Sequence, residues 1–210
     1  MKRKIIFLPG LFTEENEKLY IEIKKYFEKK DFHFVFFQYY NEKRTKSFSI
    51  KKTVEKLEKY LNKYKNTDNV IFIGHSMAGP ILMELFIKLK LKNKLILLDP
   101  SIVPIPKHLH SEVVLKKKNR NYLFWGSKES TKEINKIYLE EYTVKKTNYC
   151  ELRNKEILVF FSNLKLKKKF LKKEFEKTYS YFRVIQIAKT DHYFKNKEKE
   201  VFKKISKFLN

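Results

Sequence analysis

The chain has 210 residues, 42% of them hydrophobic, enough to bury one substantial core in a single domain spanning 1–210. Its 48 basic against 24 acidic residues give a formal charge of +24, yet nearly all the basic residues are lysine, and the phosphate-forking arginines are only Arg3, Arg44, Arg120, Arg153 and Arg183. That balance argues against nucleic acid as the partner and leaves contact with an anionic surface open. No apolar run approaches the ~20 residues that cross a bilayer, and lone Cys150 has no partner for an internal disulfide, which fits a reducing, cytoplasmic setting.

In chain order, Ile5 to Leu8 is a continuous apolar run ended by Pro9-Gly10, the pattern of a strand buried on both faces. After the tight loop Gly10-Leu11-Phe12, Thr13 is placed to cap a helix whose first turn holds Glu14, Glu15 and Glu17 and whose inner face carries Leu19, Ile23, Tyr26 and Phe27. Phe32 to Tyr40 is dense in aromatics and reads as a second strand, followed by a polar loop. Ser49 then caps a helix in which Ile50, Val54, Leu57, Leu61 and Tyr64 recur at spacings of three and four.

Val70 to Ile73 is a third buried strand, and it runs into Gly74-His75-Ser76-Met77-Ala78-Gly79. A serine between a strand and a helix, with small residues two positions to either side, has the form of a nucleophile elbow: the turn is so sharp that Gly74 and residue 78 must let strand and helix approach. Ala78 stands where a second glycine is usual, a departure of one methyl. Pro80 suits a first helical turn, and Ile81, Leu82, Leu85, Phe86 and Leu89 make the following helix largely buried. Leu95 to Leu98 is the next strand, ending at Asp99-Pro100.

From 101 to about 155 the pattern loosens. Tyr122 to Trp125 reads as a short strand and Thr131 to Tyr142 as a helix, together an insertion or cap after the nucleophile half. Regularity returns with a strand at Ile157 to Phe161, a lysine-rich helix from about Leu166 to Thr178, a last strand at Phe182 to Ala188, the loop Lys189-Thr190-Asp191-His192, and a helix with Val201, Phe202, Ile205 and Leu209 facing inward. Strands alternating with helices imply right-handed crossovers and an α/β fold with a mostly parallel sheet covered on both faces, whose functional groups gather at the carboxyl ends of the strands. Gly10, Ser76 and Asp99 all follow strands directly.

A serine hydroxyl needs a base to take its proton. Among His33, His75, His108, His110 and His192, only His192 lies in a loop between a sheet strand and the terminal helix. His75 adjoins Ser76 on a tight turn and points away from it, into packing or a supporting contact. His33 belongs to a strand, and His108 and His110 lack a third metal ligand nearby.

These features together, Leu8-Pro9-Gly10-Leu11-Phe12 after the first strand, the elbow at Ser76, Leu98-Asp99-Pro100, and His192 before the last helix, resemble a small esterase or lipase-like member of the α/β-hydrolase superfamily over nearly the whole chain. The resemblance implies an α/β-hydrolase fold and acyl transfer to water through an acyl-enzyme, on a carboxylic ester or thioester, with no metal or organic cofactor. It implies Ser76 as nucleophile, His192 as base, and an oxyanion hole from the main-chain N–H groups of Leu11 and Met77, with Gly10 and Gly74 giving the backbone its room. In most relatives the acid follows the strand before the histidine strand, where this chain offers only Asn163. Some lipases take it from the strand after the nucleophile helix, where Asp99 stands. Asp99 is thus the expected acid, with Glu129 after Tyr122 to Trp125 and Asn163 as the alternatives. Two other readings share the scaffold: a small serine peptidase, and a basic binding module without catalysis.

Overall fold

The computed structural model describes residues 3–11, 13, 15–40, 49–63, 69–101, 114–117, 120–125, 127–134, 149–162 and 179–210, with the backbone alone for the three segments between 114 and 134. Six strands, β1 (Lys4–Leu8), β2 (His33–Phe36), β3 (Val70–His75), β4 (Leu95–Leu98), β8 (Ile157–Phe161) and β9 (Arg183–Gln186), form one sheet in the order β2-β1-β3-β4-β8-β9, every neighbouring pair parallel. Helices α1 (Lys18–Glu28), α2 (Ile50–Leu61), α3 (Ala78–Lys88) and α4 (Glu198–Leu209) cover it.

The period of two along each strand decides which helices meet which face. Ile6, Leu8, Phe72, Leu95, Leu97, Val159 and Phe161 pack against α2 and α3, whereas Ile5, Phe7, Ile71, Ile73, Ile96, Leu98, Leu158 and Phe160 pack against α1 and α4. The central strands are thus apolar on both sides, the reason their sequences read as unbroken hydrophobic runs. Each side chain so buried contributes roughly 2 kcal/mol relative to leaving it exposed. No helix among the described residues is long and apolar enough to cross a membrane.

Three local expectations change. The first helix begins at Lys18 after Glu17, not at Thr13, whose Oγ1 donates to the carbonyl of Gly10 at 2.7 Å. The acids Glu15 and Glu17 therefore precede the helix rather than form its first turn. The second strand is only His33–Phe36: beyond it the main chain of Phe37 makes one more bond to Phe7, at 2.8 Å, and pairing stops. Ser49 does cap α2, its hydroxyl accepting from the N–H of Lys52.

The third lies in the span from 101 to 155. There β5 (Val114–Lys117), β6 (Arg120–Trp125) and β7 (Ser127–Ile134) form a separate antiparallel sheet. Tyr122 to Trp125 is a strand, as expected, but not one of the main sheet. Residues Thr131 to Ile134, expected in a helix, extend β7; the hairpin pairing of Ile134 with Asn121 overrides the helical spacing of Ile134, Ile137 and Tyr138. The remainder of that expected helix, and the one from Leu166 to Thr178, lie outside the described residues.

Sheet order carries the functional consequence. The chain steps from β1 outward to β2, then crosses back to β3 on the other side of β1, so the order reverses between β1 and β3. In an open parallel sheet the crevice at such a reversal, beyond the carboxyl ends of the strands, is where ligands are held. Gly10 and Ser76 flank it.

Candidate active site

Ser76 leaves β3 with φ at 55°, in the left-handed region that a side chain normally avoids. The turn is held by the Ser76 N–H donating to Leu98 O at 2.9 Å and by the Ser76 carbonyl accepting from the N–H groups of Gly79 and Ser101, each at 3.0 Å. Such a conformation costs on the order of 1–3 kcal/mol and persists only where its surroundings fix it. Here they do so by projecting Ser76 Oγ from the strand exit. That oxygen is buried and makes no hydrogen bond among the described residues.

The small residues of the turn have distinct tasks. A Cβ on Gly74 would meet Leu82 Cδ1 at 2.7 Å and the Cβ of Ala78 at 3.2 Å. Glycine at 74 thus makes the room that the Ala78 methyl occupies, which is why one alanine is tolerated in the pair. Gly79 is equally constrained, since a Cβ there would lie 2.5 Å from Pro100 Cβ. Its role, bringing α3 against the segment that follows β4, was not evident from the sequence.

Asp99 leaves β4 as Ser76 leaves β3, also with positive φ, at 42°, and its N–H donates to Phe160 O at 2.8 Å. Its side chain is 4% exposed, and Oδ2 lies 2.6 Å from His192 Nδ1. Ser162, at the exit of β8, adds a donor pair: its hydroxyl reaches Asp99 Oδ2 at 2.9 Å and its N–H reaches Oδ1 at 3.3 Å. Accepting from Ser162 and lying against His192, the carboxylate is held in place. Ser162 escaped the sequence reading because a lone serine after a strand carries no signal.

His192 sits in the loop between β9 and α4. Asp191, next to it, turns aside, its Oδ1 accepting from the N–H groups of Tyr193 and Lys195 at 3.0 Å each. Tyr193 is half-buried, and burial pushes its phenol up to about 12.

Gly10, Leu11 and Met77 are all buried at the same edge, with Met77 helical at the head of α3. A Cβ on Gly10 would lie 3.2 Å from His75 Nδ1 and 3.3 Å from Ser76 Cβ, so the loop after β1 closes directly on the elbow. His75 makes supporting contacts, bonding through Nδ1 to Tyr20 Oη at 2.8 Å and through Nε2 to the main-chain oxygen of His192 at 2.9 Å.

Of the other candidates, Glu129 falls on β7, and the premise for it fails: β6 is not part of the six-stranded sheet. Asn163, His108 and His110 lie outside the described residues. His33 opens β2 and is exposed, and Cys150 is exposed in a short 3-10 turn, Tyr149–Leu152. Among the described residues no cluster of three His, Cys, Asp or Glu is placed to hold a metal ion.

Comparison with known proteins gives no matching family model and no matching curated protein sequence. Solved structures do match. Est1E from Butyrivibrio proteoclasticus, which has also been solved with ferulic acid bound, shares 14% identity with a TM-score of 0.73, covering 99% of this chain and 87% of its own. A structure from a study of carboxylesterases of the thaumarchaeon Nitrososphaera gargenis shares 14% identity with a TM-score of 0.70, over 99% of this chain and 90% of its own. The alpha/beta hydrolase GrgF from Penicillium shares 10% identity with a TM-score of 0.69, over 99% and 90%. Sheet order, elbow and these likenesses agree: the chain has the α/β-hydrolase fold.

Proposed function

We propose that the chain is a serine hydrolase that cleaves carboxylic esters, thioesters being the nearest variant, through an acyl-enzyme on Ser76. The observation that carries this reading is the buried Ser76 hydroxyl, held out at a strained strand exit on the same edge as an imidazole bonded to a buried carboxylate at 2.6 Å.

In this reading Ser76 Oγ attacks the acyl carbonyl as His192 Nε2 takes its proton. Asp99 accepts the Nδ1–H of His192, which fixes the tautomer that leaves Nε2 as base and stabilises the imidazolium that forms. The negative oxygen of the tetrahedral intermediate faces the N–H groups of Leu11 and Met77, where loss of one donor costs on the order of 3 kcal/mol of barrier. His192 then protonates the departing alkoxide, and water, deprotonated by the same imidazole, releases the acid and restores Ser76. The structures of esterases with this fold support ester cleavage over other acyl transfers. Ferulic acid, seen bound to Est1E, makes aryl-acid esters a natural part of the test panel.

The test is treatment with a fluorophosphonate probe, followed by intact mass, alongside turnover of p-nitrophenyl and feruloyl esters. A single adduct and turnover, both lost in Ser76→Ala, are expected. Wild-type protein that neither takes the probe nor cleaves any ester would sink the reading.

A further inference from the structure

His75 is fully buried at the carboxyl edge and is not used in the mechanism above. Its two ring nitrogens reach in opposite directions, Nε2 to the main-chain oxygen of His192 and Nδ1 to the hydroxyl of Tyr20. A carbonyl only accepts, so Nε2 carries a proton. In the neutral tautomer Nδ1 is then an acceptor for the Tyr20 O–H. Tyr20 Oη in turn accepts the N–H of Gly10 at 2.9 Å and lies 3.0 Å from Thr13 Oγ1, whose proton goes to Gly10 O. Burial raises the Tyr20 phenol far above its ordinary range, so it remains a donor.

The chain of bonds thus runs from the backbone of His192, through His75 and Tyr20, to the backbone of Gly10. Its ends are the two loops whose relative position matters most to the proposed chemistry. The histidine loop has reason to need such a brace: Lys189, Phe194 and Asn196 all have positive φ, and Lys189, Asp191, Lys195 and Asn196 are exposed. The His75 ring also packs against this loop at a tilt, with centroids 4.5 Å from His192 and 5.1 Å from Tyr193.

We propose that His75 and Tyr20 are positioning residues: they tie the main chain of His192 to the Gly10-Leu11 loop, so that general base and oxyanion donors are set against each other by one buried tether. This rests on the reading of Ser76 and His192 as nucleophile and base. The Nδ1 bond to Asp99 orients the ring of His192, and the bond from His75 adds a restraint on its main chain, beside those of the Asp191 turn. A misplacement of about 1 Å suffices to cost on the order of 10²-fold in rate.

The experiment compares wild type with His75→Leu, His75→Gln and Tyr20→Phe, reading kcat and KM on p-nitrophenyl butyrate and histidine ¹⁵N NMR of the same proteins. Leucine keeps the bulk without the bonds, while glutamine restores a donor toward the His192 carbonyl. Expected is a fall in kcat of about 10²-fold for His75→Leu with KM unchanged, and of about tenfold for Tyr20→Phe, with most of the loss recovered in His75→Gln. NMR is expected to show the Nε2–H form of His75 in wild type, and Tyr20→Phe is expected to move the signals of both His75 and His192. Undiminished kcat in His75→Leu overturns the proposal, as does a folded His75→Gln no better than leucine, or His192 signals indifferent to Tyr20→Phe. If His75→Leu fails to fold, Tyr20→Phe and His75→Gln decide the matter. If wild type shows no Ser76-dependent turnover, the proposed function falls, and NMR alone judges the tether.

Discussion

The two edges of the main sheet both contain side-chain residues in the left-handed backbone region, and they use it differently. At the amino edge, Asp31 and Lys90 have φ of 63° and 51° where helices end and the chain turns toward β2 and β4. Both are exposed, and both terminate their helix in the same way. Asp31 N–H bonds Glu28 O and Phe32 N–H bonds Phe27 O, while Lys90 N–H bonds Ile87 O and Leu91 N–H bonds Phe86 O. These are the paired bonds of a Schellman ending, where glycine is the usual occupant. At the carboxyl edge, Ser76 and Asp99 are 1% and 3% exposed and sit where strands end. Strain at the first edge is incidental to stopping a helix and is replaceable. At the second it aims a particular oxygen, so the residue and its conformation come as a unit.

Three substitutions separate these cases. Ser76→Gly relieves the positive φ while deleting the hydroxyl, and it is expected to abolish ester turnover, a loss on the order of 10⁶-fold in kcat, in a protein no less stable to urea than wild type. A marked loss of stability would mean that the serine serves the fold. Next, Asp99→Asn keeps a side chain that accepts the left-handed region and keeps the shape, but not the charge. The proposed mechanism expects kcat to drop by about 10⁴-fold with the melting temperature nearly unchanged, and near-wild-type turnover would remove Asp99 from the acid role. The smallest effect belongs to the other edge: Lys90→Gly is expected to gain up to about 1 kcal/mol in urea unfolding, by relief of left-handed strain, with kcat unaffected. A change in activity there would blur the distinction.

Much of this architecture was legible because parallel strands buried on both faces declare themselves as apolar runs. Ile5 to Leu8, Val70 to Ile73, Leu95 to Leu98 and Ile157 to Phe161 fall within strands of the main sheet. The residues that follow those runs identified Gly10, Ser76 and Asp99 as neighbours on one edge. What stayed hidden depends on contacts between distant residues. Tyr20 reads as one more aromatic on an amphipathic helix, and nothing local distinguishes it from Tyr26, yet its hydroxyl meets a ring 55 positions away. Ser162 and Gly79 were silent for the same reason. The β7 strand misled in a different way: Thr131 to Ile134 sits in a helical spacing whose local preference gives way to hairpin pairing with β6.

The position of Ser162 bears on how the distances at this edge are kept. Asp99 and Ser162 are the residues next after Leu98, and two after Phe160, and the ladder pairs Leu98 with Phe160 directly. The carboxylate therefore stands at a height set by two main chains hydrogen-bonded to each other, not by the packing of its own side chain. Main-chain ladders do not stretch; they hold or they slip by whole residues. Gradual loosening of the core beneath β4 and β8 would leave the Asp99 carboxylate where it is, whereas a slip of one residue between these strands would carry it out of reach of Ser162 at once. Tolerance in this site is thus all-or-none with respect to strand register, and the carboxyl edge keeps its measure as a ruled scale does, by graduations rather than by tension.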